Sequence, residues 1–463
     1  MIIKIIEPNL QNSRYDVSSL TPNPGPVIIA SLLKQQGHDV EVISEYVTRL
    51  NLLEIRKADL VGISITTYNA QRGYAIARRL KPPVVFGGMH ASLMPEECLM
   101  YGDYVIRGDG AAIVELAECV AHGRSKHIRQ VPNLVFKQDN DIIYNPAETG
   151  TINLAPDYSL VKDYDKRGFK RFTRVPLLVN ASRGCPHKCT FCSIKAVYPD
   201  VKKKDPAVII EDIKNQTSRR SILSRFLPRI IWITDDNFFA EKKWAKEVLK
   251  KLAKLKTGFK FVIQARPDIA YDDELLTLMQ QAHFGIVYMG IESLNPRSLE
   301  NLRKETSTED ILQAIKKIQA RGMAVHGLFV FGDDEFKKGD GHRIAQFVKE
   351  HDLSGALIQP LTPYPGTDLF RKMKRAGRIL HEDWQYYNGK VVFRPKHLTA
   401  ARLQKEVYDC YRSVYSLSRV TRFFLCGPRG FRLAGLGEAV FRHLEWRKCR
   451  NYIKDKLENR HKT

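Results

Sequence analysis

Residues Arg183-Gly184-Cys185-Pro186-His187-Lys188-Cys189-Thr190-Phe191-Cys192-Ser193 follow directly on an apolar run, Leu177–Asn180, that reads as a β-strand. A glycine and a proline keep the segment out of regular structure, so it is expected to be a loop at a strand's carboxyl end. Three thiolates spaced C-x3-C-x2-C can wrap a soft metal centre, and cysteine thiolates are the usual ligands of iron–sulfur clusters. Three ligands on a four-iron cluster leave one iron open to an outside ligand. A structural zinc site would want a fourth donor close by. His187 lies inside the loop and could supply one, and packing cysteines are the blander alternative.

Downstream of the loop, strand-like and helix-like patterns alternate with a long period. Leu177–Asn180, Ile230–Thr234, Phe261–Gln264, Val287–Ile291, Val325–Phe331 and Ala356–Pro360 read as strands. Lys242–Leu255, Asp273–Ala282 and Thr308–Ala320 read as helices. Six β/α units predict a partial (β/α)6 TIM-type barrel over residues 171–395, with its chemistry at the carboxyl ends of the strands. The polar residues there are Asp236 and Asn237, Gln264 and Arg266, and Glu292 and Ser293. Taken singly, each such residue would more often be a cap or a surface ion pair.

Upstream, shorter β-loop-α units fill residues 1 to about 125, and Gly37 is placed to end a helix over Val27–Gln36. Their repetition predicts an α/β fold, a Rossmann-like doubly wound parallel sheet over residues 1–145. A hairpin near residues 133–144 and a linker over 146–170 close that domain. Ligands of such sheets sit beyond the carboxyl ends of the strands. There the chain places Ser64, Thr66, Gly87, Gly88, His90, Gly108 and Gly110, and the glycines allow close backbone approach. Residues 396–463 turn helical and basic, with 16 Lys and Arg against 6 Asp and Glu.

With 463 residues and 27% charged side chains, the chain has the composition of a soluble multidomain protein. It contains no apolar run long enough to span a bilayer. Its first residues, MIIKIIEPN, read as a strand rather than a secretory signal. Eight cysteines, five of them scattered, do not form a disulfide scaffold, so a cytoplasmic setting is expected. Cys410, Cys426 and Cys449 are too widely spaced for a compact ligand motif. The net charge of +23 implies an anionic partner. Arginines interleaved with aromatics over 419–433 would suit contact with an anionic membrane surface, and a basic helical lid reads equally well. No nucleic-acid-binding module is visible.

The cysteine loop, with Phe191 before its last cysteine, resembles the signature of the radical S-adenosylmethionine (SAM) superfamily. Later segments resemble that family's strand ends. They are Ile233-Thr234-Asp235-Asp236-Asn237-Phe238, Gln264-Ala265-Arg266, Met289-Gly290-Ile291-Glu292-Ser293 and Pro363-Tyr364-Pro365-Gly366-Thr367. Residues 1–145 resemble the cobalamin-binding domain that precedes the barrel in one large class of the family. The matching pieces are Pro24-Gly25-Pro26, Gln36-Gly37-His38, Gly87-Gly88-Met89-His90-Ala91 and Asp103-Tyr104-Val105-Ile106-Arg107-Gly108-Asp109-Gly110.

The resemblance implies a [4Fe–4S] cluster on Cys185, Cys189 and Cys192, with SAM chelated to the open iron. Phe191, Asp236, Asn237, Gln264, Arg266, Glu292 and Ser293 would face SAM. Cobalamin would lie over Ser64, Thr66, Gly87, Gly88, His90, Gly108 and Gly110. No Asp-x-His-x-x-Gly occurs, so the histidine that holds cobalt in other cobalamin proteins is missing.

One-electron reduction of SAM would yield a 5′-deoxyadenosyl radical that takes hydrogen from a substrate. A reductase with flavodoxin or ferredoxin would donate the electron. The activity implied is methylation of an unactivated carbon in a hydrophobic or lipid-like small molecule. Alternatives are radical cyclisation, oxidation or C–C coupling, and a cluster-bearing scaffold without catalysis.

Overall fold

The computed structural model describes residues 1–9, 21–123, 125–148, 150, 152–164, 177–218, 229–416 and 451–458. By compactness the chain divides into two units, residues 1–185 with 193–224, and residues 186–192 with 225–463.

In the first unit five parallel strands, β1 (Ile2–Glu7), β2 (Asp39–Ser44), β3 (Leu60–Ser64), β4 (Val84–Gly87) and β5 (Tyr104–Ile106), lie in the order β2-β1-β3-β4-β5. The strands β6 (Leu134–Gln138) and β7 (Asp141–Tyr144) add to β5 in antiparallel fashion, so the expected hairpin extends the sheet. The direction of winding reverses between β1 and β3, which makes their carboxyl ends a topological switch point where such sheets bind ligands.

Helix α1 (Pro24–Gln35) begins with proline at its first position, where the missing N–H costs nothing. It stops in a Schellman motif. Gly37 takes φ +85° and donates to Lys34, and His38 donates to Leu33. Val27, Ala30 and Leu33 bury one face of α1 against Ile3, Ile5, Val40 and Val42. Full burial of an aliphatic side chain contributes about 1.5–3 kcal/mol.

The unit does not end with the hairpin. Tyr158, Val161 and Tyr164, inside the expected linker, belong to its core. Strand β8 (Leu177–Val179) is tied in by the Leu178 carbonyl, which accepts from Tyr158 Oη (3.4 Å) and from Gln216 Nε2 (3.0 Å). Gln216 stands on α2 (Pro206–Ser218), a helix not anticipated from the sequence. The short strands β9 (Ser182–Arg183) and β10 (Lys202–Lys203) pair antiparallel.

In the second unit β11 (Ile230–Ile233), β12 (Lys260–Ala265), β13 (Phe284–Glu292), β14 (Ala324–Phe331) and β15 (Gly355–Pro360) are parallel and adjacent in chain order. Between them run α3 (Lys242–Ala253), α4 (Asp273–Gln281), α5 (Pro296–Asn301), α6 (Thr308–Ala320) and α7 (Asp340–Glu350). Helix α6 matches its expected limits because Ser307 and Asp310 form a capping box at its start. Beyond β15 come α8 (Asp368–Arg375) and α9 (Ala400–Val414). The arginine–aromatic stretch 419–433, Cys426, Cys449 and the helical spacing of Leu436, Val440 and Leu444 lie outside the described residues. Among the described residues no helix is long and apolar enough to cross a membrane.

Candidate active site

The residue before the first cysteine dictates how the loop begins. Gly184 takes φ +88°, and a Cβ there would overlap the Asp200 carbonyl oxygen. Only glycine fits. Cys185, Cys189 and Cys192 are each half-buried. In the second unit a turn closes from the Cys192 amide to the Cys189 carbonyl at 3.2 Å. Thr190 between them donates its amide to the Leu302 carbonyl (3.1 Å) and accepts from the Leu369 amide (3.0 Å). Phe191 is half-buried.

His187, inside the loop, is oriented by a carboxylate. Its Nδ1 lies 2.7 Å from Glu305 Oε2. The hydrogen bond from His187 holds the Glu305 carboxyl below its ordinary range. Among the described residues no three His, Cys, Asp or Glu side chains form a ready-made metal cage. The fit therefore rests on the donor set. Three thiols on one short loop suit an iron–sulfur cluster with one iron left open to an outside ligand.

The strand ends of the second unit supply polar groups in series. After β11, Asp235 and Asn237 are buried while Asp236 is half-buried. On β12 Gln264 is exposed and pairs in register with Tyr288 of β13. Ser293 is half-buried, and its Oγ accepts from the Asn295 amide at 3.1 Å.

Glu292 is the unusual residue. It sits at φ +65° beside a register shift, in which Gly290 pairs with Leu328 and Glu292 already with Phe329. Ile291 is the extra residue, and the shift re-aims the carboxylate. Glu292 Oε1 meets Lys304 Nζ at 2.7 Å, and both side chains are buried. A Cβ on Gly290 would fall 2.7 Å from that ammonium and 2.8 Å from that carboxylate, so glycine makes room for the pair.

Segment 302–305 is thereby a hub that the sequence did not announce. Leu302 holds the cysteine loop at Thr190, and Glu305 holds it at His187. The Lys304 ammonium holds Glu292, while its carbonyl accepts from Arg266 Nη2 at 2.6 Å. The guanidinium of Arg266, expected to face SAM, is thus a brace on the hub. Arg303 and Glu305 both adopt left-handed backbone, at φ +52° and +54°. Such strain in non-glycine residues persists only where surrounding contacts determine it. The sequence also gave no notice of an aromatic ladder. Trp232, Tyr288 and His326 stack at 5.0 and 4.4 Å, with Tyr288 on the same face as Gln264.

In the first unit Gly88 at φ +92° is required, since a Cβ would sit 2.7 Å from the Ile65 carbonyl oxygen. Gly108 at φ +78° differs, because a Cβ there would meet nothing within 4 Å. Gly87 is nearly as open, its closest neighbour lying 4.0 Å away. Open space at two strand ends fits a large ligand resting on backbone. Ser92, missed from sequence, joins the two turns by accepting from the Gly108 amide and donating to the Gly88 carbonyl, each at 2.9 Å. Gly110, at φ +86°, packs over Ile29. Ser64 is half-buried, and the Thr66 amide donates to Asn69 Oδ1 at 2.7 Å.

His90 is packed into the domain. Its ring is fully buried, with Nδ1 3.2 Å from Thr67 Oγ1 and Nε2 3.0 Å from the Tyr74 hydroxyl. Both nitrogens are used inside the domain, so the ring braces the strand ends. Burial pushes the thiols of Cys98 and Cys410 up to about 12, as expected of inert packing cysteines.

A cysteine loop followed by acid and amide strand ends, preceded by a glycine-turned parallel sheet, defines a cluster-and-SAM catalyst with a corrinoid-type domain. A family model for the radical SAM superfamily matches residues 179–345, and one for the B12 binding domain matches residues 15–117. The chain is a radical SAM enzyme with an N-terminal B12-binding domain, whose cofactors are a [4Fe–4S] cluster, SAM and cobalamin.

It is 25% identical over 426 residues to bacteriochlorophyllide d C-12(1)-methyltransferase of Chlorobaculum tepidum, covering 90% of this chain and 88% of that one. It is 24% identical over 438 residues to the anaerobic magnesium-protoporphyrin IX monomethyl ester cyclase of Rubrivivax gelatinosus, covering 90% and 77%. The solved radical SAM methyltransferase TsrM of Kitasatospora setae, with cobalamin and a [4Fe–4S] cluster bound, superposes with a TM-score of 0.66 at 17% identity. That match covers 81% of this chain and 75% of that one. The likeness supports the Rossmann-like and partial-barrel fold.

Proposed function

We propose that this protein is a cobalamin-dependent radical SAM methyltransferase acting on an unactivated carbon of a hydrophobic small molecule. The observation that carries the reading is the pairing of a three-thiol loop with a parallel sheet left open at Gly87 and Gly108. Cys185, Cys189 and Cys192 would hold the cluster. Asp236, Asn237, Gln264, Glu292 and Ser293 would meet SAM, with Phe191 against it. Gly87, Gly88 and Gly108 would carry cobalamin by backbone, with Ser64, Thr66 and Gly110 beside them. When bound, the cofactors supply one-electron cleavage of SAM and methyl delivery. The chain's own residues orient the groups and set the approach of the substrate.

A flavodoxin or ferredoxin, kept reduced by its reductase, is the electron donor in this reading. The charge of +23 and the basic composition of residues 396–463 support contact with an anionic membrane surface from the cytoplasmic side. Kinship to a cyclase favours a second reading, radical ring closure or oxidation without methyl transfer.

The test is anaerobic reconstitution with iron, sulfide and hydroxocobalamin, then reduction with dithionite in the presence of methyl-labelled SAM. Label in the corrinoid fraction together with 5′-deoxyadenosine is expected. Deoxyadenosine without label in the corrinoid selects the second reading. Neither product overturns both.

A further inference from the structure

Reductive cleavage of SAM consumes one electron from outside the substrate, so the surface nearest the cysteine loop is where a donor must come. That surface is basic. Helix α8 is fastened to the loop by the hydrogen bond from the Leu369 amide to Thr190, and it carries Arg371, Lys372, Lys374 and Arg375 within eight residues. A cavity of about 560 Å³ opens beside it, walled by Thr190, Leu302, Arg303, Leu369 and Arg371. The side chains of Arg303, Arg371, Lys372 and Lys374 are 58–69% exposed, and Lys188 and Arg375 are exposed as well.

Carboxylates on this face do not balance the cations. Asp368 is shared between Arg303 and Arg371, and Asp334 between Lys372 and Arg378. Glu382 takes Lys374, and Glu300 and the buried Asp333 are the other acids on the cavity wall. Arg375 adds to the surplus, while Lys188 has the Glu305 carboxylate near it. A solvated basic helix needs no attachment to a metal-binding loop, and a membrane-contacting one gains nothing from it. Electron transfer does, because its rate falls steeply with distance.

We propose that the exposed face of α8, with Arg303 and Lys188, is the docking surface for an acidic one-electron carrier protein of the flavodoxin or ferredoxin class. The inference rests on the radical SAM reading of the cysteine loop. The carrier gives up one electron to the centre held by the loop and is oxidised by one. SAM is reduced by one as its sulfonium carbon–sulfur bond breaks, leaving methionine and the deoxyadenosyl radical. Complementary charge sets the encounter rate and the register of the two proteins.

The test uses the full reconstituted protein, a purified flavodoxin, and the variants Arg371→Glu/Lys372→Glu/Arg375→Glu and Arg371→Gln/Lys372→Gln/Arg375→Gln. Lys250→Glu/Lys251→Glu/Lys254→Glu, on and just after α3, is a charge-matched control. The first readout is flavodoxin binding titrated at two salt concentrations. The second is deoxyadenosine formation driven by reduced flavodoxin or by dithionite, which needs no docking.

The Glu variant is expected to bind flavodoxin at least about tenfold more weakly and to lose flavodoxin-driven turnover, and the Gln variant to fall between. Dithionite-driven turnover should stay within about twofold, and the control should bind like the unmodified protein. Unchanged flavodoxin binding in the Glu variant overturns the proposal, as does equal weakening in the control. Loss of the dithionite-driven rate in both α8 variants also overturns it, making the helix a support for the loop. If the unmodified protein fails to cleave SAM with dithionite, the functional reading falls, and the binding titration still decides the docking surface.

Discussion

Replacing Lys304 with methionine would strip the buried carboxylate of Glu292 of the ammonium paired with it while leaving the side-chain volume nearly unchanged. The two charged atoms are 2.7 Å apart, and the residues are 8% and 5% exposed. At an effective dielectric of about 20, their attraction is roughly 6 kcal/mol. Much of that offsets the cost of taking both ions out of water, so the net worth of the pair is small. Removing one partner is another matter, because it strands a buried charge, and the loss is then about 3–5 kcal/mol.

All four tryptophans lie beyond residue 225, so tryptophan fluorescence in urea reports the second unit alone. The single variant should lose about 3–5 kcal/mol of unfolding free energy. The double variant Lys304→Met/Glu292→Gln should return to within about 2 kcal/mol of the unmodified protein. A loss under about 1 kcal/mol in the single variant, or no recovery in the double, would refute the claim that this pair is dry and mutually dependent.

Other expectations follow from the same contacts. Gly184→Ala should cost at least about 2 kcal/mol, because the added Cβ meets backbone at a left-handed φ, and iron bound per chain should fall with it. His90→Ala should lower the melting temperature of the protein, while bound cobalamin keeps the absorption spectrum of the unmodified protein. A changed spectrum would return His90 to the cofactor.

Asp212 on α2 has its carboxyl pushed up to about 7 by burial, against a bond from Gln216 and the charge of Lys204. The folded state therefore holds a proton that the unfolded chain has released above about pH 4. Stability from this group falls as pH rises from about 4 to about 7 and is flat beyond. Asp212→Asn should remove up to about 4 kcal/mol of that slope, seen as a urea midpoint that varies less with pH across that window.

Much of the frame was readable from the chain. Period-2 and period-3.6 apolar patterns located the strands and the longer helices, and Gly37 marked a helix end because capping is local chemistry. Residues whose placement depends on distant partners were less readable. Nothing near Lys304 in sequence tells that Gly290 vacates space for it, or that Arg266 bonds its carbonyl. Helix α2 was overlooked because its apolar stripe is narrow, only Ile209 and Ile213 being apolar among its buried residues. His90 was placed on the correct strand end, but its hydrogen-bond partners were not legible. Whether an imidazole points out or in is settled by Thr67 and Tyr74, more than a dozen residues away in the chain.

The register shift in β13 has an implication for engineering. Deleting Ile291 would let the strand run in step with β14, straighter and better hydrogen-bonded. Glu292 would then leave its left-handed backbone and turn away from Lys304. The deletion would also strand the buried Lys304 ammonium and remove a fully buried side chain, so it would cost stability as well as the carboxylate's position. The extra residue is thus a place where the sturdiness of the barrel and the aim of one carboxylate hang on the same backbone kink.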